Sequence, residues 1–272
     1  MRRPRMRNLL RQRVVSLFFV TLAIAASWGA TAQAQGQIAV ARIEAPPQAT
    51  VMLPVTYMPP EENPPATLVV RLAFSATTLE ALDVVAAPAL AQSGKQLDFE
   101  LRSGAIALAV FGGGAPTPAG TLFHLVMQVK TAAQPGDVLS VLNTTTHGAD
   151  SAAEYADIQV TSGNVRVINE PEKHSADTTG DWRIDLPELL RLIQLYNVRE
   201  YHCDPAGEDG YEPGTGDRSC APHDADYNPA DWTISFSELL RVIQLYNAPY
   251  QMYHASVAGE DGFAPGPFGY AP

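Results

Sequence analysis

The residues best suited to chemistry lie in the last third of the chain, where oxygen-bearing side chains occupy alternate positions of one segment. Numbered from the first acid, positions 1, 3, 5, 7, 9 and 12 hold Asp177, Thr179, Asp181, Arg183, Asp185 and Glu188. A hard cation such as Ca²⁺ binds about six to eight oxygens, and a loop of about twelve residues can supply them from these positions. Position 7 contributes its backbone carbonyl, and the carboxylate at position 12 binds through both oxygens. The spacing therefore predicts a Ca²⁺-binding loop.

A segment of the same kind occurs fifty residues later. Asp231–Asn247 repeats Asp181–Asn197 with identical residues at twelve of seventeen positions. Counting back from Glu238 places Tyr227 and Pro229 at positions 1 and 3, where neither side chain is a good ligand. We therefore expect one inserted residue and an irregular second loop. Its candidate ligands are Asp226, Asn228, Asp231, Thr233 and Glu238.

Helix capping is an alternative explanation for part of each pattern. Asp185 with Glu188, and Ser235 with Glu238, have the spacing of a capping box, in which each side chain bonds the other residue's backbone N–H. Capping accounts for positions 9 and 12 but leaves four acids unexplained: Asp177, Asp181, Asp226 and Asp231. Position 6 holds Trp182, where a cation loop of this kind normally has glycine for its sharp turn.

Each acidic segment leads into a predicted helix. Apolar residues fall at i, i+3, i+4 and i+7 in both copies, at Leu186, Leu189, Leu190 and Ile193 and at Phe236, Leu239, Leu240 and Ile243. Neither helix is long enough to be stable alone, so each should pack against the other. Four polar residues shared by the two helices are candidate partner contacts, with a merely solvated face as the alternative: Arg191, Gln194, Arg241 and Gln244. Tails containing Gly-Glu-Asp-Gly, at 201–214 and 253–266, complete the repeat.

The preceding part of the chain has a different composition. Residues 35–168 contain about nine short apolar segments separated by Gly- and Pro-rich turns, which predicts a β-sandwich. A polar linker, 169–173, separates this sandwich from a C-terminal module, 174–272, built of two repeats at 174–214 and 224–266. We expect mainly β structure followed by a small all-α domain of two calcium-loop helices.

Residues 1–34 have the pattern of a secretory signal peptide. Six arginines precede an uncharged apolar run, and Ala32 and Ala34 form an A-x-A site, so cleavage is expected after Ala34. A membrane anchor is the alternative. Without the six arginines the formal net charge changes from −11 to −17, which disfavours nucleic-acid binding.

In an oxidising compartment we expect Cys203 and Cys220 to form a disulfide rather than two free thiols.

No catalytic pattern stands out. The sequence contains no G-x-S-x-G, no H-E-x-x-H and no nucleophilic Cys/His arrangement, so we expect a protein that is not an enzyme. Direct carbohydrate binding would require a strip of exposed aromatic side chains. The aromatic residues of the sandwich sit mostly within apolar runs and are expected in the core: Tyr57, Phe74, Phe99, Phe111, Phe123 and Tyr155.

Two resemblances give these patterns a functional meaning. The paired unit carried by "DTTGDWRIDLPELL" and "DWTISFSELL" resembles a dockerin, which implies Ca²⁺ and a cohesin-bearing partner. Its positions 10 and 11, Leu186–Pro187 and Phe236–Ser237, depart from the polar pair that dockerins usually carry there.

The stretches "VVRLAFSATTLEALDVV" and "GTLFHLVMQVKTAAQPGD" resemble a cohesin, the β-sandwich receptor for dockerins. The resemblances imply an exported scaffold protein of polysaccharide-degrading assemblies or the cell surface, and a fold shared with carbohydrate-binding modules leaves glycan binding as the alternative.

Overall fold

The structure is a computed structural model that describes residues 36–149, 155–156 and 158–270. The predicted signal peptide and its cleavage site lie outside these residues. Within the described part of the chain, no helix is both long and apolar enough to cross a membrane.

Strands β1 to β12 and one short helix make up the N-terminal part. Their bounds are β1 Gly36–Val40, β2 Arg42–Ala45, β3 Thr50–Met58, β4 Thr67–Phe74, β5 Leu79–Ala86, α1 Pro88–Gln92, β6 Gln96–Arg102, β7 Ala105–Phe111, β8 Gly120–Val129, β9 Val138–Ala149, β10 Tyr155–Ala156, β11 Ile158–Thr161 and β12 Gly163–Val167. The predicted segments correspond to strands, and the β-sandwich is confirmed. Strands β10 and β11 and helix α1 were not predicted.

These strands form two sheets. The first sheet has the order β11-β1-β3-β8-β5, and the second has the order β2-β12-β9-β4-β7-β6, with β10 paired to β9. Strands alternate between buried and exposed residues, as in β4, where Leu68, Val70 and Leu72 point inward. Because this period of two places one side of every strand in the core, the inward rows of the two sheets form the sandwich interior.

The chain passes from one sheet to the other at two adjacent points. The first crossing is Ala41, between β1 in the first sheet and β2 in the second, and the other is Ser162, between β11 and β12. Strands β1 and β11 pair in parallel, as do β2 and β12. The crossing is close-packed at Gly163, where a Cβ atom would lie 2.1 Å from the Ala41 carbonyl oxygen. Only glycine fits there, because any side chain would displace backbone.

The C-terminal module contains two helices and two hairpins. The helices are α2 Leu186–Val198 and α3 Phe236–Tyr246, and a 3₁₀ turn covers Pro249–Gln251. Strands β13 Tyr201–Cys203 and β14 Tyr211–Pro213 form one hairpin, and β15 Tyr253–Ala255 and β16 Phe263–Pro265 form the other. The prediction of an all-α unit missed these hairpins, because three-residue strands are too short to show a period. Each hairpin follows its helix, so the repeat consists of acidic loop, helix and hairpin.

The module is attached to the sandwich by its C-terminal strap, Pro267–Tyr270. Phe268 pairs with Val51 of β3: its carbonyl accepts from the Met52 N–H at 2.8 Å, and its N–H donates to the Thr50 carbonyl at 3.2 Å. The Phe268 ring is buried and meets Trp182 of the first acidic loop edge to face at 5.1 Å. The strap thus contacts both parts, and the described residues between 36 and 270 form one compact unit.

Candidate functional site

The first acidic loop is organised around the carboxylate of Asp177. One oxygen accepts from the backbone N–H groups of Gly180 (2.7 Å) and Asp181 (3.1 Å), and the other accepts from that of Trp182 (2.9 Å). Asp177 is buried, and the N–H donors compensate the loss of its hydration. Asp177, at predicted loop position 1, therefore holds the turn in place through its hydrogen bonds to the backbone.

The backbone at Trp182 shows why position 6 matters. Its φ is +65°, in the left-handed region that glycine usually occupies, and Trp232 has a φ of +69° at the equivalent place. The Trp182 ring is 3% exposed and packs against Tyr253, with the Lys173 ammonium 5.4 Å from its centre. Trp182 therefore makes the turn that glycine normally makes, and burial of its indole ring offsets the conformational cost of a positive φ.

The second loop has the same arrangement with one extra residue. Asp226 accepts from the backbone N–H groups of Asp231 (3.0 Å) and Trp232 (2.7 Å), as Asp177 does from Asp181 and Trp182. Asp226 therefore takes position 1 in place of Tyr227, and the residue inserted before Asp231 is accommodated within the loop. Burial raises the pKa of Asp226, while its hydrogen bonds to Tyr201, Asp231 and Trp232 oppose that shift.

Each loop is completed by a tyrosine from the other repeat. The Tyr253 hydroxyl donates to Asp177 at 2.7 Å, accepts from the His174 N–H at 3.1 Å, and its own backbone N–H donates to the Trp182 carbonyl at 3.1 Å. Tyr201 makes the same three contacts in the second loop, with Asp226 (2.7 Å), His223 (3.0 Å) and Trp232 (3.3 Å). Both rings are fully buried, and burial raises both tyrosine pKa values. The two repeats therefore exchange hairpin side chains across a pseudo-two-fold axis.

A buried histidine pair lies between the loops. The His174 and His223 rings are 5.7 Å apart, and each Nδ1 accepts a backbone N–H at 3.0 Å, from Ala176 and Ala225 respectively. The proton of each neutral ring is then on Nε2. Desolvation lowers the pKa to about 4 for His174 and to about 3 for His223. The pattern H-x-A-D at 174–177 and 223–226 was a visible signal of this pair that sequence reasoning missed.

The two glutamates at position 12 act as caps. Asp185 accepts from the Glu188 N–H at 2.9 Å, while Glu188 accepts from the Asp185 N–H at 2.8 Å, and Ser235 and Glu238 form the equivalent box. The second oxygen of Glu188 reaches into the loop, where it accepts from the Thr179 N–H at 3.0 Å. The capping explanation is confirmed, and these glutamates also tie the loops to the helices.

The predicted cation ligands fall into two groups. Asp177, Thr179 and Glu188 are connected, because the Thr179 hydroxyl lies 3.4 Å from Asp177 and its N–H bonds Glu188. Asp181, Arg183 and Asp185 are exposed. In the second loop Asp226 and Glu238 are buried, the Asn228 N–H donates to Glu238 at 2.8 Å, and Asp231 is exposed. Among the described residues, no three His, Cys, Asp or Glu side chains converge on a metal position. The donors are hard oxygens of the kind Ca²⁺ prefers, and the loop backbone engages most of the buried ones.

The shared arginines have a structural role that the sequence did not indicate. Arg191 bonds Asp209 at 3.2 Å and the Tyr211 carbonyl, and Arg241 holds Asp261 through two bonds of 3.0 Å and also the Phe263 carbonyl. All four charged side chains are buried or nearly so. The arginines on the helices therefore hold the aspartates of the Gly-Glu-Asp-Gly turns. Of the four predicted partner contacts, only Gln194 and Gln244 are exposed, and each accepts from its neighbouring arginine.

The predicted disulfide is present. Cys203 and Cys220 are joined with a Cα–Cα distance of 6.0 Å. The bond connects strand β13 to the segment that leads into the second loop. It therefore closes the connection between the two repeats.

The outer face of the second sheet is a second candidate site. The inward residues of β7 are Ile106, Leu108 and Val110, so its outward row is Ala105, Ala107 and Ala109 and ends at the exposed Phe111. On one side, β6 places Asp98 and Glu100 opposite Ala109 and Ala107. On the other side, β4 places Val69 and Arg71 opposite the same two alanines. A depression of about 410 Å³ lies over Ala105 and Ala107 and is also lined by Arg71 and Glu100. We call this surface the alanine-floored face.

Exposed aromatic residues do not form a strip on the described part of the sandwich. Tyr57 and Phe123 are buried and Phe74 is partly buried, as expected for core residues. Phe99 and Phe111 are exposed, so the expectation that they lie in the core was wrong. They lie on opposite sides of the second sheet, because Phe99 pairs with the inward Leu108 whereas Phe111 belongs to the outward row of β7. The side chain of Tyr155 lies outside the described set.

Comparison with known proteins gives matches among solved structures only. No protein-family model matches the chain, and no curated protein matches it. One similar structure is the sixth cohesin of scaffoldin B from Acetivibrio cellulolyticus, solved with a Cel5 dockerin, at 19% identity over 49% of this chain and 99% of that one, with a TM-score of 0.43. A non-cellulosomal cohesin from the archaeon Archaeoglobus fulgidus is 16% identical over 50% of this chain and 93% of its own, with a TM-score of 0.43. The OlpA cohesin from Clostridium thermocellum, in complex with a dockerin, is 15% identical over 49% and 99%, with a TM-score of 0.44. The structural neighbours are thus cohesin domains, and they match about half of this chain.

Proposed function

We propose that the protein is a non-catalytic binding protein whose sandwich receives the helical module of a dockerin-bearing partner on the alanine-floored face. The observation that carries the proposal is the row Ala105, Ala107 and Ala109, a strip of small side chains along one strand of an exposed sheet face. The cohesin-like strand pattern of the sequence supports the same function.

The shape and chemistry of this face suit a helix. Methyl groups form its floor, so a helix can approach the sheet closely and bury apolar side chains against them. Charged residues border the floor, with Asp98 and Glu100 on β6 and Arg71 on β4. Such a rim provides orientation by charge, while the uncharged centre avoids desolvating an ion pair.

Calcium is part of the proposal for the C-terminal module. In the first loop the side chains of Asp177, Thr179, Asp181 and Glu188 and the carbonyl of Arg183 would hold the ion, with Asp185 at the helix start. In the second loop Asp226, Asn228, Asp231, Thr233 and Glu238 would do so. A divalent cation would neutralise carboxylates crowded in one turn and so order the loops that carry the helices.

Calorimetry tests the calcium proposal. Residues 35–272 are stripped with EDTA and titrated with CaCl₂. The heat of Ca²⁺ binding is expected to be lost in Asp177→Asn and to be reduced in Asp226→Asn. Asp217→Asn, an exposed acid outside both loops, is the control. Absence of heat and of any rise in Tm with Ca²⁺ would show that the acids organise the loops without an ion.

An extracellular or cell-surface setting completes the proposal. The signal-peptide pattern supports export, and the Cys203–Cys220 disulfide fits an oxidising compartment. The same setting is where assemblies that degrade polysaccharides work. Mass spectrometry of the mature N-terminus after expression in an exporting bacterial host tests cleavage after Ala34.

Titration against recombinant dockerin modules tests the binding function. Residues 35–272 are expected to bind at least one module, and Ala107→Arg is expected to weaken that binding by a factor of about 10 or more, because it places a long charged side chain on the floor. Met58→Arg, at an exposed position of the first sheet, is the matched control. Equal affinity of Ala107→Arg and the wild type would contradict the assigned face.

Carbohydrate binding is the second candidate, and one observation favours it. A cleft of about 530 Å³ lies between the first sheet and the first acidic loop, and its polar lining includes Gln48, Thr50, Gln128, Lys173, Asp181 and Arg183. Amide and hydroxyl groups of this kind match the hydroxyls of a sugar. Retention on insoluble polysaccharide that is lost in the double variant Gln48→Ala/Gln128→Ala would support it.

A further inference from the structure

The cleft between the first sheet and the first acidic loop has one wall from each part of the chain. Gln48, Thr50 and Gln128 come from the sandwich, where Thr50 and Gln128 are neighbours across strands β3 and β8. Asp181 and Arg183 come from the loop, and both are exposed. Small-molecule sites often lie where two parts of a protein meet, and the volume of about 530 Å³ is within their usual range of about 300–1,000 Å³. The position and size of the cleft are therefore those of a ligand site.

Gln48 occupies a backbone position that its residue type does not favour. The Ala49 N–H donates to the Pro46 carbonyl at 3.4 Å, which closes a tight turn with Pro47 second and Gln48 third. The φ of Gln48 is +64°, and the third position of such a turn normally holds glycine because of this positive φ. Gln48 is exposed, so burial does not offset the conformational cost as it does at Trp182. This uncompensated strain at the wall of a cleft indicates that the glutamine side chain serves binding.

The opposite wall contains a buried hydrogen-bond donor that lacks an acceptor. Trp182 lines the cleft, with the Lys173 ammonium 5.4 Å from the centre of its ring. The indole Nε1 of Trp182 is buried and has no hydrogen-bond partner among the described residues. Because buried polar groups are nearly always bonded, this N–H calls for an acceptor. A ligand that enters the cleft with acceptor oxygens would satisfy it.

The charges along the cleft cancel. Lys173 and Arg183 are positive, Glu170 and Asp181 are negative, and Lys173 pairs with Glu170. A charged ligand would therefore gain little from the cleft, and the net negative charge of the protein would repel an anion. The other polar groups of the lining are glutamine amides and threonine hydroxyls, which both donate and accept hydrogen bonds. Such a lining favours an uncharged ligand that is rich in hydroxyl groups.

We propose that this cleft binds a soluble, uncharged oligosaccharide and that both parts of the chain contact it. The inference rests on the second candidate of the proposed function, carbohydrate binding, and names the class of sugar. A concave cleft encloses a short chain or a chain end, whereas a flat polysaccharide surface would need a strip of exposed aromatic side chains, which the described part of the sandwich lacks. The bound sugar therefore connects the sandwich to the first acidic loop and stabilises their packing.

Calorimetric titration of residues 35–272 with tetrasaccharides tests the ligand class. The neutral probes are cellotetraose, xylotetraose and mannotetraose, and tetragalacturonic acid is the charged comparison. At least one neutral probe is expected to bind saturably. Its affinity should change less than about twofold between about 0.05 and 0.5 M NaCl, because the contact involves no net charge on the sugar. Tetragalacturonic acid is expected to bind more weakly than that neutral probe.

The variant Gln48→Gly separates a binding role from a structural one. Glycine adopts a positive φ freely, so this variant is expected to have a higher Tm than the wild type. Loss of the amide should nevertheless weaken sugar binding about fivefold. Arg183→Ala, on the opposite wall, should also weaken it. The matched control is Asn63→Gly, at an exposed residue with a φ of +52° outside the cleft, which should keep the wild-type affinity.

Three results would overturn the inference. The first is the absence of saturable binding of every neutral probe at about 10 mM, and carbohydrate binding itself would still stand if the protein is retained on insoluble polysaccharide. The second is tighter binding of tetragalacturonic acid than of the neutral probes, which would contradict the class of ligand. The third is wild-type affinity in folded Gln48→Gly, which would contradict the assigned cleft. The dockerin titrations concern the other sheet and are unaffected by all three.

Discussion

The Tyr253 hydroxyl donates a 2.7 Å hydrogen bond to the carboxylate of Asp177, which precedes it by 76 residues. Tyr201 bonds Asp226 at the same distance, so each acidic loop depends on the hairpin of the other repeat. The duplication follows from this exchange, because a single repeat would leave both its loop carboxylate and its tyrosine without the partner that completes them.

Removing the hydroxyl should destabilise the module. We expect Tyr253→Phe to lower the free energy of unfolding by about 1.5–3 kcal/mol, because a buried carboxylate loses one donor. Urea denaturation followed by tryptophan fluorescence measures the change. Tyr246→Phe, at a partly exposed tyrosine of α3, is the control and should change stability little. Equal effects of the two substitutions would contradict the exchange.

The left-handed backbone conformation of Trp182 predicts that glycine at this position gives a more stable protein than alanine does. Both Trp182→Ala and Trp182→Gly lose the buried indole, at a cost of about 3–5 kcal/mol. Glycine adopts a φ of +65° freely whereas alanine does not, so we expect Trp182→Gly to be more stable than Trp182→Ala by about 1 kcal/mol. Thermal unfolding of both variants makes the comparison, and a more stable alanine variant would refute the role of the backbone.

The buried histidines predict a loss of stability in acid. Their folded pKa values, about 4 for His174 and about 3 for His223, lie below the unfolded value near 6.5, so the unfolded chain binds more protons between these limits. Their contribution is complete above about pH 6.5 and is lost as pH falls toward 4. Urea titrations at pH 7.5, 6 and 5 should show decreasing stability, with a shallower pH dependence in His174→Gln. A pH dependence identical to that of the wild type would exclude His174 as its source.

The buried ion pairs should be sensitive to removal of one partner. We expect Asp261→Asn to cost about 3–5 kcal/mol, because Arg241 would remain buried with its charge unpaired. Arg166→Ala breaks the exposed pair with Glu44 and should cost less than about 1 kcal/mol. Guanidinium denaturation of both variants measures the difference. Similar costs would show that Asp261 is not held as the structure indicates.

Patterns with a short period were readable in the sequence, and long-range pairings were not. The alternation in β7 and the capping boxes at Glu188 and Glu238 fix local structure, because each depends only on near neighbours. The exchange of Tyr201 and Tyr253 depends on how two repeats pack, which no local pattern encodes. The inserted residue before Asp231 was predicted from the sequence, and the matching backbone hydrogen bonds of Asp226 and Asp177 confirm it.

The candidate sites, too, were only partly predictable from local sequence patterns. The acids of both loops were found because carboxylates at alternate positions are conspicuous, whereas the alanine-floored face was not, because alanines in a strand read as ordinary β structure. Arg191 and Arg241 were predicted as candidate partner contacts because they lie on the polar side of their helices. The sequence does not show that Asp209 and Asp261, in turns 18 and 20 residues further along the chain, pair with these two side chains.

The central claim, that a partner binds on the alanine-floored face, is tested most directly by NMR of residues 35–272 labelled with ¹³C at alanine methyl groups. Addition of a saturating dockerin module is expected to shift the methyl resonances of Ala105, Ala107 and Ala109 while leaving those of Ala39 and Ala81 on the first sheet unchanged. Shifts confined to the first sheet, or none at saturation, would contradict the claim.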